Sequence, residues 1–372
     1  MRIAVLRETA PGESRVALVP DVVQRLTKSG HRISVQRGAG LAAGFPDADY
    51  EKAGAHVLDS RAEVLSGAEL WPRVRPPTPA ELEEAPEGIA IASMLGVEPP
   101  EALVPALAAR RLTLMGLERM PRITRAQSMD VLSSQATVAG YKAVLLGAAE
   151  LGKLLPMLTT AAGTLAPARV LVLGAGVAGL QAIATARRLG AVVAGFDVRP
   201  AAREQVLSLG ATFVGPEVSA DYEGEGGYAR LLTPEEQAAT REALAAAIPQ
   251  HDLLISTAQV PGRRAPVLVD AKALATLRPG SVVVDLAAET GGNVEGTRAG
   301  ERVVVGGVVI LGPVQLAATV PLHASQMYAR NVMTLVQHLS TKEGALKLDP
   351  EDEITKALLI TLNGQVPGGS GR

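Results

Sequence analysis

The chain has 372 residues, 47% of them hydrophobic and 20% charged, which marks a folded globular protein too long for one growing core; two domains are expected. A net charge of −2 without a lysine-arginine block gives no electrostatic footing for nucleic acid or an anionic membrane surface. Cysteine is absent, which excludes disulfides and thiolate metal sites, and the five histidines, His31, His56, His251, His323 and His338, lack ligand spacing, so no metal is expected.

The N-terminal Met1-Arg2-Ile3-Ala4-Val5-Leu6-Arg7-Glu8 has no secretory apolar run, and no window reaches the roughly 18 uncharged apolar residues of a membrane span. A soluble, cytoplasmic chain is therefore expected. From there short apolar runs alternate with helix-like segments: Ile3 to Leu6, Asp21 to Lys28, Arg32 to Gln36, and on to Leu112 to Leu117. That rhythm predicts α/β folding on a parallel sheet. Gln135 to Leu151 reads as a helix linking two lobes, with Val138, Tyr141, Leu145 and Ala148 at helical spacing. A second α/β series follows, with a strand over Arg169 to Leu173, a helix over Val177 to Leu189, a strand over Ala191 to Phe196 and a helix over Ala202 to Leu209. Further strands are expected at Asp252 to Ser256, Ser281 to Leu286 and along Val303 to Leu311. Gly215 to Thr233 is polar and glycine-bearing with little to bury, the signature of a lid or binding loop. His323 to Leu339 predicts a long helix that returns the chain to the first lobe.

The chemistry concentrates in two places. Gly174-Ala175-Gly176-Val177-Ala178-Gly179 follows an apolar strand and opens a helix, the setting in which G-x-G-x-x-G binds a dinucleotide. Gly174 permits the tight turn, Gly176 admits the pyrophosphate, Gly179 lets helix and sheet approach, and the helix N-terminus offers N–H groups and a positive dipole end. Asp197 lies 18 residues beyond Gly179 at the end of the second strand, near the offset of about 20 at which a carboxylate meets the adenosine ribose. That carboxylate favours NAD(H) and repels a 2′-phosphate, while Arg199 beside it is of the type that accommodates one. The alternative for Asp197 is a strand end in solvent. The second place is Arg122-Ile123-Thr124-Arg125-Ala126-Gln127-Ser128-Met129-Asp130-Val131-Leu132-Ser133-Ser134-Gln135, dense in guanidinium, carboxylate, amide and hydroxyl groups. It reads either as a ligand-holding junction or as a solvated loop with Ser133 or Ser134 capping the next helix.

This run, Pro11-Gly12-Glu13-Ser14-Arg15-Val16-Ala17, the glycine turn ending in Phe196-Asp197-Val198-Arg199, Val260 to Leu268 and Asp285 to Asn293 together resemble the NAD(H)-binding alpha component of proton-translocating NAD(P)+ transhydrogenases, over nearly the whole chain. The resemblance implies two Rossmann-like doubly wound parallel-sheet domains with a cleft between them, residues 1–132 plus 318–372 forming the first and 133–317 the NAD(H)-binding one. It implies that Arg122, Gln127, Asp130 and Ser133 surround the nicotinamide and its ribose, the first three aligning the ring for reaction. Ala175, Gly176 and Val177 would line the pyrophosphate, Asp197, Val198 and Arg199 the adenosine, Gly227 and Tyr228 a mobile lid, and Gln259 a contact from a strand end. It also implies a homodimer working with an NADP(H)-binding beta subunit and a membrane-spanning subunit, so that the chain sits peripherally on the inner face of the cell membrane. Alanine dehydrogenase shares the architecture, and reducing an imino acid requires a proton donor and a cation for the carboxylate. Where the dehydrogenases place histidine this chain has Met94; Trp71-Pro72-Arg73-Val74-Arg75-Pro76 lacks their lysine, Glu289 stands for their aspartate, and only Arg15 is kept. A lone arginine is more often a surface or lobe-bridging ion pair. Hydride transfer between two nicotinamides needs alignment and dryness but no acid or base. A non-catalytic NAD(H) sensor is the other alternative.

Overall fold

The computed structural model describes residues 1–96, 103–215, 233–259 and 264–367. The chain divides into two compact units, Met1–Gln135 with Ala317–Arg372, and Ala136–Leu316.

The first unit opens with β1 (Arg2–Val5), β2 (Arg32–Gln36), β3 (His56–Leu58), β4 (Leu70–Pro72), β5 (Ala90–Ser93) and β6 (Thr113–Gly116), mutually parallel wherever they pair. The second contains β7 (Leu158–Thr160), β8 (Gly163–Leu165), β9 (Arg169–Leu173), β10 (Val192–Phe196), β11 (Thr212–Val214), β12 (Leu253–Ser256), β13 (Val282–Asp285), β14 (Arg302–Val305) and β15 (Val308–Leu311). After the Pro321–His338 helix the chain ends in the first unit with β16 (Leu359–Thr361). The two large sheets repeat one order, β16-β6-β5-β4-β1-β2-β3 and β11-β10-β9-β12-β13-β15-β14, each parallel apart from one antiparallel edge pair. This is the doubly wound arrangement, with its reversal between β1 and β4 in one unit and between β9 and β12 in the other.

The apolar runs are continuous because these strands are buried on both faces. Val170 and Val172 enter one core of the second unit while Leu171 and Leu173 enter the other; Ile3 and Val5 are divided from Ala4 and Leu6 in the same way in the first. The returning Pro321–His338 helix supplies Tyr328, Val332, Leu335 and Val336 to the first unit's core.

Two expectations are corrected. Val303 to Leu311 is two strands, because Gly306 (φ +57°) and Gly307 (φ +83°) take left-handed conformations that turn the chain into a hairpin. The linking helix starts at Val131, four residues before Gln135, and neither Ser133 nor Ser134 caps it. Asp130 does: Oδ1 accepts the Ser133 N–H at 2.9 Å and Oδ2 the Ser133 hydroxyl at 2.6 Å.

A candidate dinucleotide site

In the second unit the glycine turn leaves β9 at the point where strand order reverses, the place where doubly wound sheets open a crevice. Its neighbour across the reversal is the end of β12. Thr257 donates its N–H to the Leu173 carbonyl at 2.8 Å and its hydroxyl to the Gly174 carbonyl at 2.9 Å. Gly174 has φ +94°, and a Cβ there would stand 2.8 Å from Thr257 Oγ1. A Cβ on Gly179 would stand 1.8 Å from the Gly174 carbonyl oxygen, so helix and turn touch through backbone alone. The middle glycine differs: a Cβ on Gly176 would meet nothing within 4 Å. Gly176 is the N-cap of the Val177–Arg188 helix, and no side chain caps that end. A glycine facing open space before an uncapped helix N-terminus fits a pyrophosphate, whose oxygens accept from first-turn N–H groups.

Asp197, at the end of β10, is 7% exposed, so the reading as a strand end in solvent is set aside. Its Oδ2 accepts the Ala175 N–H at 2.7 Å, tying the end of β10 to the glycine turn. Its other partners all belong to Arg199: the backbone N–H and Nε on Oδ1, at 2.8 and 3.0 Å, and Nη2 on Oδ2 at 2.8 Å. Val198 packs against the apolar core on that side of the sheet. Gln259 is exposed and donates Nε2–H to the Leu286 carbonyl at 2.9 Å. Gly227 and Tyr228, with residues 216–232 of the segment read as a lid, lie outside the described residues.

Two residues that sequence reasoning did not single out hold this site in place. Asp285 is fully buried at the end of β13 and accepts five bonds: Ser256 Oγ and Ala287 N–H on Oδ1, and Asn293 N–H, Val294 N–H and Thr297 Oγ1 on Oδ2, all within 3.1 Å. Asn293, also buried, accepts the Ala258 N–H at 3.1 Å and donates to the Ala258 and Pro266 carbonyls at 2.8 Å. The loop after β13 therefore fixes the Thr257-Ala258-Gln259 end of β12 beside the glycine turn. Gly140 is the third feature, because a Cβ there would lie 2.1 Å from the Ala178 carbonyl oxygen. The linking helix thus packs backbone to backbone on the first turn of the Val177–Arg188 helix.

The polar run belongs to the first unit. Arg122 and Gln127 are exposed, Asp130 and Ser133 are partly buried and joined to each other as cap and first-turn donor, and Ala126 and Met129 anchor the run in the core. It is held from outside at several points: Asn331 donates to the Ser128 carbonyl at 2.8 Å, Arg125 pairs with Asp352 at 3.1 Å, and Gln135 donates to the Ala324 carbonyl at 3.1 Å. Burial opposes ionisation of Asp352, but bonds from the Thr355 N–H, His338 and the Thr355 hydroxyl outweigh it and bring its pKa down to about 2.

At this unit's own strand-order reversal, between β1 and β4, the chain's own charges occupy the crevice. Glu8 accepts the Val74 and Arg75 N–H groups at 2.7 and 3.2 Å, and Arg73 pairs with Glu81 at 2.8 Å while lying over the Trp71 ring. Burial raises the Glu8 pKa against the pull of Arg73. Arg15 is neither a surface group nor a bridge between units. It is 4% exposed, bonded through Nη2 to Glu13 at 2.6 Å and through Nη1 to Gln135 at 2.7 Å, all within the first unit. Met94 packs against the apolar core, and Glu289 is exposed.

The fold and site define a two-unit doubly wound α/β protein with a candidate dinucleotide crevice at its glycine turn, and the comparisons specify the family. Residues 4–139 match the family model described as alanine dehydrogenase/PNT, N-terminal domain, and residues 143–368 the one described as alanine dehydrogenase/PNT, C-terminal domain. The chain belongs to the alanine dehydrogenase/PNT family. An NAD(P) transhydrogenase subunit alpha of Rhodospirillum rubrum is 42% identical over 374 residues, covering 98% of this chain and 97% of that protein. The alanine dehydrogenase of Halomonas elongata is 32% identical over 368 residues, 97% of this chain and 93% of its own. A transhydrogenase structure from Sinorhizobium meliloti superimposes with a TM-score of 0.89 at 44% identity, covering 98% of this chain and all of that one. An L-alanine dehydrogenase structure reaches 0.83 at 28%, covering 99% of this chain and 97% of its own. Among the described residues no helix is long and apolar enough to cross a membrane.

Proposed function

We propose that this chain is the NAD(H)-binding component of a proton-translocating transhydrogenase, working with an NADP(H)-binding subunit and a membrane-spanning subunit that hold it peripherally at the cytoplasmic face. The observation that carries the nucleotide assignment is the bond from Ala175 N–H to Asp197, which joins the phosphate turn and the ribose carboxylate in one rigid piece. Bound NADH would supply the hydride, which passes to NADP+ on the partner.

The chain's own residues then bind and align. Ala175, Gly176 and Val177 hold the pyrophosphate, Asp197 and Val198 the adenosine with Arg199 beside them on the same carboxylate, and Gln259 approaches from the end of β12. Gly227 and Tyr228 close over the nucleotide. Arg122, Gln127, Asp130 and Ser133 hold the nicotinamide and its ribose, positioning the ring without exchanging a proton with it. Transhydrogenation is favoured over reduction of an imino acid because Arg15 is already committed to Glu13 and the position for a proton donor carries Met94.

The test mixes the chain with an NADP(H)-binding partner domain and follows reduction of an NAD analogue by NADPH. Transfer is expected from the pair and from neither protein alone. No transfer from a folded, nucleotide-loaded pair, or pyruvate- and ammonia-dependent oxidation of NADH by the chain itself, overturns the reading.

The homodimer belongs to the same proposal. The β7–β8 hairpin is exposed along both strands, and Met157, Leu158 and Leu165 are 63%, 43% and 56% exposed without a charged residue among Leu158 to Leu165. A bare two-stranded hairpin is marginal in water, and an uncharged apolar surface suits a second copy of the chain. Leu158→Asp with Leu165→Asp is expected to give a monomer by light scattering; a persisting dimer removes the hairpin from the interface.

A further inference from the structure

Asp197 carries a full complement of bonds, and three of the four come from one residue. A carboxylate offers about four lone-pair positions. Here the Ala175 and Arg199 N–H groups take one position on each oxygen, and the Arg199 side chain takes the other two, Nε on Oδ1 and Nη2 on Oδ2. The two backbone donors orient the carboxylate without help from the guanidinium. What the guanidinium covers is one lone pair on each oxygen, and a vicinal diol needs that same pair of acceptors for its two hydroxyl donors. A guanidinium edge and a ribose diol are both two-donor forks, and they cannot share one carboxylate.

Resting on the reading of Asp197 as the ribose acceptor, we infer that Arg199 is an internal competitor for the adenosine-ribose subsite. NADH binds by displacing the guanidinium from Asp197, and that displacement sets part of the affinity. The arginine is suited to leave, since its side chain is 21% exposed against 8% for its partner, and partly exposed ion pairs are weak. It is also suited to return, because a buried carboxylate left without a partner is strongly disfavoured. Arg199 is thus a specificity-determining residue: it keeps Asp197 compensated until a ligand bearing both hydroxyls takes its place.

Titration calorimetry on the full chain tests this with two ligands, NADH and its 2′-deoxyadenosine analogue. Arg199→Met keeps the length of the side chain and removes every donor. It is expected to bind NADH about three- to fivefold tighter than wild type. The analogue, which uses only one of the two freed positions, is expected to gain less. Arg199→Ala should change affinity in the same direction, and a single cooperative melting transition well above the assay temperature establishes that each variant is folded. NADH binding that is unchanged or weaker in both folded variants, or an equal gain for the two ligands, overturns the competitor role. A wild-type chain that takes up no NADH in the same titration sinks the nucleotide reading itself, so the two failures are told apart.

Discussion

Gly179→Ala is expected to destabilise the second unit by about 3 kcal/mol, at the upper end of the range for overpacking, and to reduce hydride transfer in the mixed assay on the order of a hundredfold. Alanine is the better helix former by about 1 kcal/mol, so propensity alone predicts the opposite sign. Geometry decides. The new methyl would lie 1.8 Å from the Gly174 carbonyl oxygen, a backbone atom that cannot rotate away, so the turn itself has to move. Gly140→Ala makes the same demand from the other side, at 2.1 Å from the Ala178 carbonyl, and should also destabilise although it too replaces a helix-interior glycine. Gly176→Ala separates packing from binding. Its φ is not left-handed and its Cβ meets no atom, so stability should change by less than about 0.5 kcal/mol while nucleotide affinity falls. Thermal melts with and without NADH check all three. A Gly179→Ala chain with wild-type melting temperature would mean that the helix can slide off the turn, and the close approach would then not be structural.

Asp285→Ala should be at least as damaging, by about 4 kcal/mol in urea unfolding, because it leaves buried donors on Ser256, Ala287, Asn293, Val294 and Thr297 competing for no acceptor. Asp285→Asn should lie between. Whichever way the amide turns, its NH2 faces either the Ser256 and Ala287 donors or those on Asn293, Val294 and Thr297. The damage should extend to the nucleotide site, since Asn293 carries the constraint on to Ala258 at the end of β12. A loss below about 1 kcal/mol would indicate that water replaces the carboxylate and that the loop is held by its turns instead.

Much of the second unit was legible from the chain alone. The strand over Arg169 to Leu173 was read to the residue, because an apolar run bounded by a charged start and a glycine turn leaves little freedom in where it begins and ends. The helices that were read fell within a few residues except where a side chain moved the start, while the Pro234–Ala247 helix was not read at all. The linking helix begins early because Asp130, read only as a ligand-facing carboxylate, caps it. The Val303 to Leu311 stretch divides because two adjacent glycines outweigh the hydrophobic continuity around them.

Residue order alone was enough to establish the two α/β series, the glycine turn with an acid 18 residues beyond it, and the absence of cysteine, since these depend on local periodicity and on residue types at short spacing. Which charges are already paired emerged with the folded arrangement. Arg15 is committed to Glu13, Asp197 to Arg199 and Asp285 to the loop that follows it. Folding also set Gly140, 38 residues before Ala178, against that residue's carbonyl. The physical reason is that a hydrogen bond or a backbone contact depends on distance in space. The partners from distant strands and helices come within reach only after burial of both faces of each sheet has fixed the strand order.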